Sequence, residues 1–190
     1  MVRWTRRHFA LPLLALAACG PAPEVESNPE LSVAFGSDAD VLVDSALGLS
    51  APGRFCLLAE ANISGCFYVF YKDGIDLHRL YPEPQVVSDV RIGPDRQLRV
   101  PREGWITLEG RAETEEFVVV VVPRPVSEWL PEHLPVHEFE QALVQLGLTY
   151  RIARGGHLEG PYFRTSLRGS PAGQTVLVAW ARLPSRPPGR

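Results

Sequence analysis

Two segments in the body of this chain, beyond its first twenty residues, are six residues long, apolar at every position and free of alanine. Residues 66–71 read Cys-Phe-Tyr-Val-Phe-Tyr, and residues 117–122 read Phe followed by five valines. Successive side chains of a strand point to opposite faces. A strand apolar on both faces therefore belongs in the middle of a packed core. The valine run is β-branched throughout and so a poor helix. Residues 54–80 predict three strands in succession, at 55–60, 66–71 and 75–80. Asn62 to Gly65 supplies the first turn, and Asp73-Gly74 is a strong hairpin signal for the second. Shorter strands are expected at 40–44, 88–92, 97–101, 105–110 and 115–122, separated by Gly and Pro.

The pattern changes after Pro123-Arg124-Pro125. Apolar residues at 136, 139, 143 and 146 follow a helical period, and Gly147 is placed to cap that helix. Residues 148–153, 162–167 and 175–183 again read as strands. The fold expected is mainly β: an immunoglobulin-like antiparallel β-sandwich over residues 36–125. A helix-plus-strands extension over 126–183 packs on or follows it, and 184–190 is a disordered tail.

The first residues are polar in a different way. Arg3, Arg6 and Arg7 precede a short apolar run over 9–18 that ends Leu16-Ala17-Ala18-Cys19. That run is too short to span a bilayer. The sequence resembles a bacterial lipoprotein signal over 1–18, in which the peptidase cuts before the cysteine and Cys19 carries the lipid. Residues 5–11 also resemble the twin-arginine export motif. Residues 19–35 then form a lipidated, flexible tether, rich in Pro, Glu and Ser at its start. Gly20 stands at the position after the lipidated cysteine, which favours the outer membrane over inner-membrane retention.

With Cys19 used for lipid, Cys56 and Cys66 remain, on either side of the first turn. An oxidising compartment favours a bridge between them. Closing a loop of roughly ten residues contributes about 2.5–3 kcal/mol.

Charge and composition narrow the partners. Loss of Arg3, Arg6 and Arg7 leaves 16 basic residues against 22 acidic, a net charge of −6. That argues against nucleic acid or anionic-lipid surfaces as main partners. Lys72 is the sole lysine, and the abundance of arginine reads as genomic composition.

A family resemblance is carried by Cys66-Phe67-Tyr68-Val69-Phe70-Tyr71, Leu80-Tyr81-Pro82, Ile92-Gly93, Val100-Pro101 and the strand at 117–122. In order and spacing, residues 48–122 resemble the domain-of-unknown-function 4384 family. These are bacterial, mostly extracytoplasmic domains, often appended to serine/threonine kinases or caspase-like peptidases. The resemblance implies an immunoglobulin-like sandwich and brings no catalytic residues with it. Glu83 departs from the asparagine usual after Leu-aromatic-Pro.

Candidate chemistry is sparse. His133 and His137 are four apart, which in a helix places both on one face and would suit zinc in a metal-dependent hydrolase. However, Leu134 follows the first histidine where a zinc protease needs Glu, and Pro135 interrupts the helix. No nucleophile elbow, phosphate loop or dinucleotide fingerprint is present. Trp105 and Trp180 fall in predicted strands and are expected in the core. Trp129, in a proline-rich connector, is the candidate for partner contact. The expected protein is a non-catalytic, membrane-anchored envelope module or scaffold without a cofactor, held to the bilayer by its lipid and bound to an envelope protein. A purely structural envelope role is the other reading.

Overall fold

The computed structural model describes residues 28–39, 41–83, 90–109 and 112–186. The expected signal and lipidation residues 1–19 lie outside them, as do 88–89 of one expected strand and 187–190 of the expected tail.

The two wholly apolar segments pair with each other. β4 (Gly65–Asp73) and β9 (Thr114–Val122) run antiparallel, from Cys66 opposite Val122 to Lys72 opposite Glu116. β14 (Thr175–Arg186) lies on the other side of β9, and β5 (Asp76–Tyr81) on the other side of β4. β10 (His133–Pro135) and β11 (Arg151–Gly155) flank these four strands. β2 (Leu49–Ser50) joins β14, and β6 (Arg91–Ile92) joins β4, to complete an eight-stranded sheet. Opposite it lies a six-stranded sheet. Its path is β12 (His157–Glu159), β13 (Tyr162–Ser166), β1 (Glu30–Ser37), β3 (Gly53–Ala61) and β7 (Leu98–Val100). β8 (Ile106–Leu108) also pairs with β3. The result is the mainly β sandwich expected. Its pairings are antiparallel except for β11 and β2, which run parallel to β14.

The two faces of β4 bury against different layers. Tyr71 packs against Phe117, which meets Phe35 and Phe55 of the facing sheet with ring centroids 5.5 and 5.7 Å away. Tyr68 and Phe70, on the other face, lie under Trp129 and under Phe139 of the helix α1 (Val136–Leu146). The expected helix thus forms with its bounds as read. Phe139 and Leu143 bury its apolar stripe, and Gly147 caps it in ordinary right-handed conformation. The architecture is sheet, sheet, helix, and the strand that is apolar on both sides is the one between two apolar layers. Tyr68 is fully buried with its hydroxyl satisfied: it accepts from the Val126 N–H at 2.8 Å and lies 3.3 Å from the Val126 carbonyl.

Several expectations are corrected. Residues 126–183 are not an appended extension. β14 is central to the larger sheet and β13 pairs with β1, so this segment completes both sheets. Order also starts earlier than residue 36, since β1 begins at Glu30. Residues 184–186, assigned to the tail, are still strand.

The 55–60 and 66–71 strands do not form a hairpin. Asn62, bonded to Glu30 N–H at 2.8 Å and to the Asn28 carbonyl at 3.0 Å, sits at a corner where the chain crosses between sheets. The physical reason lies in the patterns. β3 carries exposed Arg54 and Glu60 on its outer face, so it belongs to a sheet wet on one side, which β4 cannot join. The crossing separates the cysteines. Cys56 lies on the outer face of β3 against Gly36, and Cys66 lies in the core of the other sheet. No disulfide joins them. The hairpin at Asp73-Gly74 does form, with Gly74 in the left-handed region at φ 58°.

Trp129 is wholly buried and stacks edge-on to Tyr68 at 5.2 Å, so it belongs to the helix layer and not to a docking surface. Removing so large a side chain leaves a cavity. Trp129→Ala is expected to cost about 3–5 kcal/mol in urea unfolding. Dithiothreitol is expected to leave the melting temperature unchanged; a drop on reduction would restore the bridge.

Candidate functional site

The chain crosses again from the larger sheet to the smaller at residues 91–102, and this crossing builds a basic cleft. β6 pairs with the start of β4, Ile92 opposite Gly65. The turn after it is held by the Asp95 N–H, which donates to the Ala61 carbonyl at 2.9 Å. Asp95 itself takes a left-handed φ of 56°, a conformation Asp tolerates better than most residues. β7 then pairs with β3 in the other sheet. Arg91, Arg96, Arg99 and Arg102 punctuate this path, and together with Tyr81 they line a cleft of about 440 Å³. Among the described residues, no acidic side chain lines it.

Three of these arginines are held in place. Arg91 donates to the Pro123 carbonyl at 2.8 Å. Arg99 donates to the carbonyls of Pro101 at 2.5 Å and Gly104 at 2.7 Å, and its guanidinium lies 4.7 Å from the centre of the Trp105 ring. Arg102 donates to the Tyr81 hydroxyl at 3.1 Å, a bond that raises its pKa further. A guanidinium has five donors in a planar fork. Most of those on Arg102 remain available, and Arg96 is exposed at the mouth. Fixed, charged donors of this kind recognise oxyanions.

A second cleft of about 620 Å³ opens between the sheets. Phe55, Leu80, Ile106 and Phe117 form its apolar wall, and Tyr71, Asp73 and Glu115 bring polar groups to it. The Tyr71 hydroxyl donates to Glu115 Oε2 at 2.7 Å. Burial, reinforced by that bond and by the negative charge of Glu115, pushes the Tyr71 phenol up to about 12. Leu80 lines this cleft while the next residue, Tyr81, lines the basic one. On the outer face nearby, Lys72 and Arg182 both pair with Glu116, and the Lys72 bond above all lowers its pKa.

The residues singled out in the sequence do not converge. His133 lies on β10 and precedes the helix, while His137 stands in its first turn, so the two do not share a helix face. His133 instead packs edge-on against His78 at 4.6 Å. No group of three metal-ligating side chains forms among the described residues. Trp105 lies just before β8, half-buried under Arg99. Trp180 is in β14 and packs against the core. No described helix is long and apolar enough to cross a membrane. The arginine cleft escaped the sequence because 91, 96, 99 and 102 follow no single period; only the crossing between sheets brings them together. No family model, curated protein or solved structure matches the chain.

The Tyr71 geometry sets a pH dependence. An unfolded tyrosine ionises near pH 10, while folded Tyr71 holds its proton to about 12. Stability from this group is fully present below the unfolded value and is lost as pH rises through the folded one. Wild-type protein is expected to lose more stability between about pH 9 and about pH 11.5 than Tyr71→Phe, read by urea unfolding at each pH. Equal losses would remove the role given to the Tyr71–Glu115 bond.

Proposed function

We propose that this protein is a lipid-anchored binding module of the bacterial cell envelope that performs no covalent chemistry. Three features support this reading. Arg3, Arg6 and Arg7, the short apolar run and Leu16-Ala17-Ala18-Cys19 together resemble a lipoprotein signal, with Cys19 as lipid acceptor. The resemblance of residues 48–122 to an extracytoplasmic domain family points to the same compartment. The single observation that carries the binding role is the basic cleft, where four arginines, three of them held by hydrogen bonds, line an opening on a net acidic chain. His133 and His137, the pair an enzyme reading would need, stand on different elements.

The anchor is tested by the mass of the amino-terminal peptide from membrane fractions. A diacylglyceryl adduct on Cys19 is expected, with the protein in the membrane pellet. Cys19→Ala is expected to leave the protein unprocessed and without the adduct. An unmodified Cys19 in the native protein would overturn the anchored reading. The binding role is tested by purifying a carboxy-terminally tagged chain in mild detergent. One enriched envelope protein or anionic ligand is expected; a chain that elutes alone and binds neither would favour a purely structural role.

A further inference from the structure

We infer that the cleft lined by Arg91, Arg96, Arg99, Arg102 and Tyr81 is a binding site for a phosphate-bearing group, presented by anionic phospholipids of the membrane that holds the protein. The inference deepens the proposed function, and its membrane source rests on that reading.

The chemistry comes first. Arg99 and Arg102 do not sweep through solvent as free surface side chains do. Arg99 is clamped by the carbonyls of its own turn and stacked on Trp105, and Arg102 is bonded to Tyr81. Little rotamer entropy is left to lose when such a group meets a ligand. Arg96 is exposed at the rim, with the aliphatic part of its chain 3.6 Å from where a Cβ on Gly93 would stand. Arg91 is held to Pro123. Arg96, Arg99 and Arg102 face one opening and repel one another, and an oxyanion with several acceptor oxygens relieves that repulsion while taking bidentate bonds. The site is locally basic on a chain whose net charge otherwise disfavours anionic lipid. Ile92 and Leu98 give the cleft an apolar floor, which suits a headgroup that continues into a glycerol backbone.

Position supplies the source. The described chain starts at Asn28, whose carbonyl accepts from the Asn62 side chain. Ala61, next to Asn62, accepts from the Asp95 N–H, and Arg96 follows directly. The end of the domain where the chain enters is therefore the end that carries the cleft. Eight residues lie between Cys19 and Asn28, which are therefore nine Cα–Cα steps apart. Fully extended, they reach at most about 30 Å. An anchor at Cys19 thus keeps the cleft close to the headgroups, where a tethered encounter has high effective concentration. Acids stand at this end too. Glu30 is paired with Arg164 at 3.0 Å, Glu60 and Asp95 lie on the far side of the turn, and Glu83 is near Arg102. Among the described residues, none of them lines the cleft.

The test is arginine footprinting on the full acylated chain in neutral detergent. Phenylglyoxal modification is read residue by residue by mass spectrometry. One arm adds phosphatidylglycerol to the micelles and the other adds inorganic pyrophosphate. Bound ligand slows modification by the factor 1 + [L]/Kd, so Arg96 and Arg102 are expected to react about threefold more slowly at a ligand level twice Kd. Arg182, exposed on the outer face of the other sheet, should not change. Protection by phosphatidylglycerol supports the inference whole. Protection by pyrophosphate alone keeps the phosphate site but overturns the membrane as its source. Equal rates in both arms overturn the site. Arg96→Gln with Arg102→Gln is expected to abolish protection at Arg91 and Arg99. If that double variant does not fold, Arg96→Gln alone serves, since that side chain is exposed. The mass of the amino-terminal peptide in the same sample reports acylation, so a failed anchor is distinguished from a failed site.

Discussion

Everything in this fold depends on burying two strands on both faces. A strand in that position has nowhere to send its backbone polar groups except to strands on either side. β4 takes β5 and β9, and β9 takes β4 and β14. Its side chains need apolar cover above and below. One cover is the smaller sheet, through Phe35 and Phe55, and the other is α1 with the connector that carries Trp129. The roles of the first strand, the last strand and the helix all follow from that demand.

Several arginines fasten loops to this core. Arg79 is almost fully buried and its guanidinium donates to the Leu130 carbonyl, while its backbone N–H donates to the Glu132 carbonyl at 2.9 Å. This pins the connector over β5, and burial lowers the arginine's pKa. Arg99 and Arg102 do the same for the 101–104 turn. The fold therefore carries its positive charge on short leashes at loop carbonyls. Where several such leashes meet, a basic cleft results, and the acidic Tyr71–Glu115 cleft begins one residue away along β5.

The elements themselves were largely legible. Uniform apolarity at 66–71 and 117–122 marked the central strands, and a 3.6-residue period marked the helix. Asp73-Gly74 marked the hairpin because its turn chemistry is local. What was not legible was which elements pair. Asn62 to Gly65 has hairpin composition, yet it turns a corner; Gly65 is needed there because a Cβ would lie 2.5 Å from Val121. The proline-rich stretch after Val122 looked like a boundary, yet β14 returns across it. Trp129 reads as exposed because it sits in a proline-rich connector, although a tryptophan over Tyr68 and Phe70 is what the second face of β4 requires. The arginines looked compositional because their convergence depends on long-range pairing.

The position of β14 also orders events in time. β9 leaves the ribosome more than fifty residues before β14 is complete, and until then one side of its valine run has no strand to pair with. An unpaired, uncharged, β-branched edge of that kind is a template for joining other chains. The nascent protein thus passes through a stage in which its most stable future ribbon is its most adhesive surface. Contacts between β1 and β13, over a hundred residues apart in sequence, likewise wait until most of the chain has emerged. Such long-range pairing makes folding slow, so the window in which the valine edge needs shielding is a property of the topology itself.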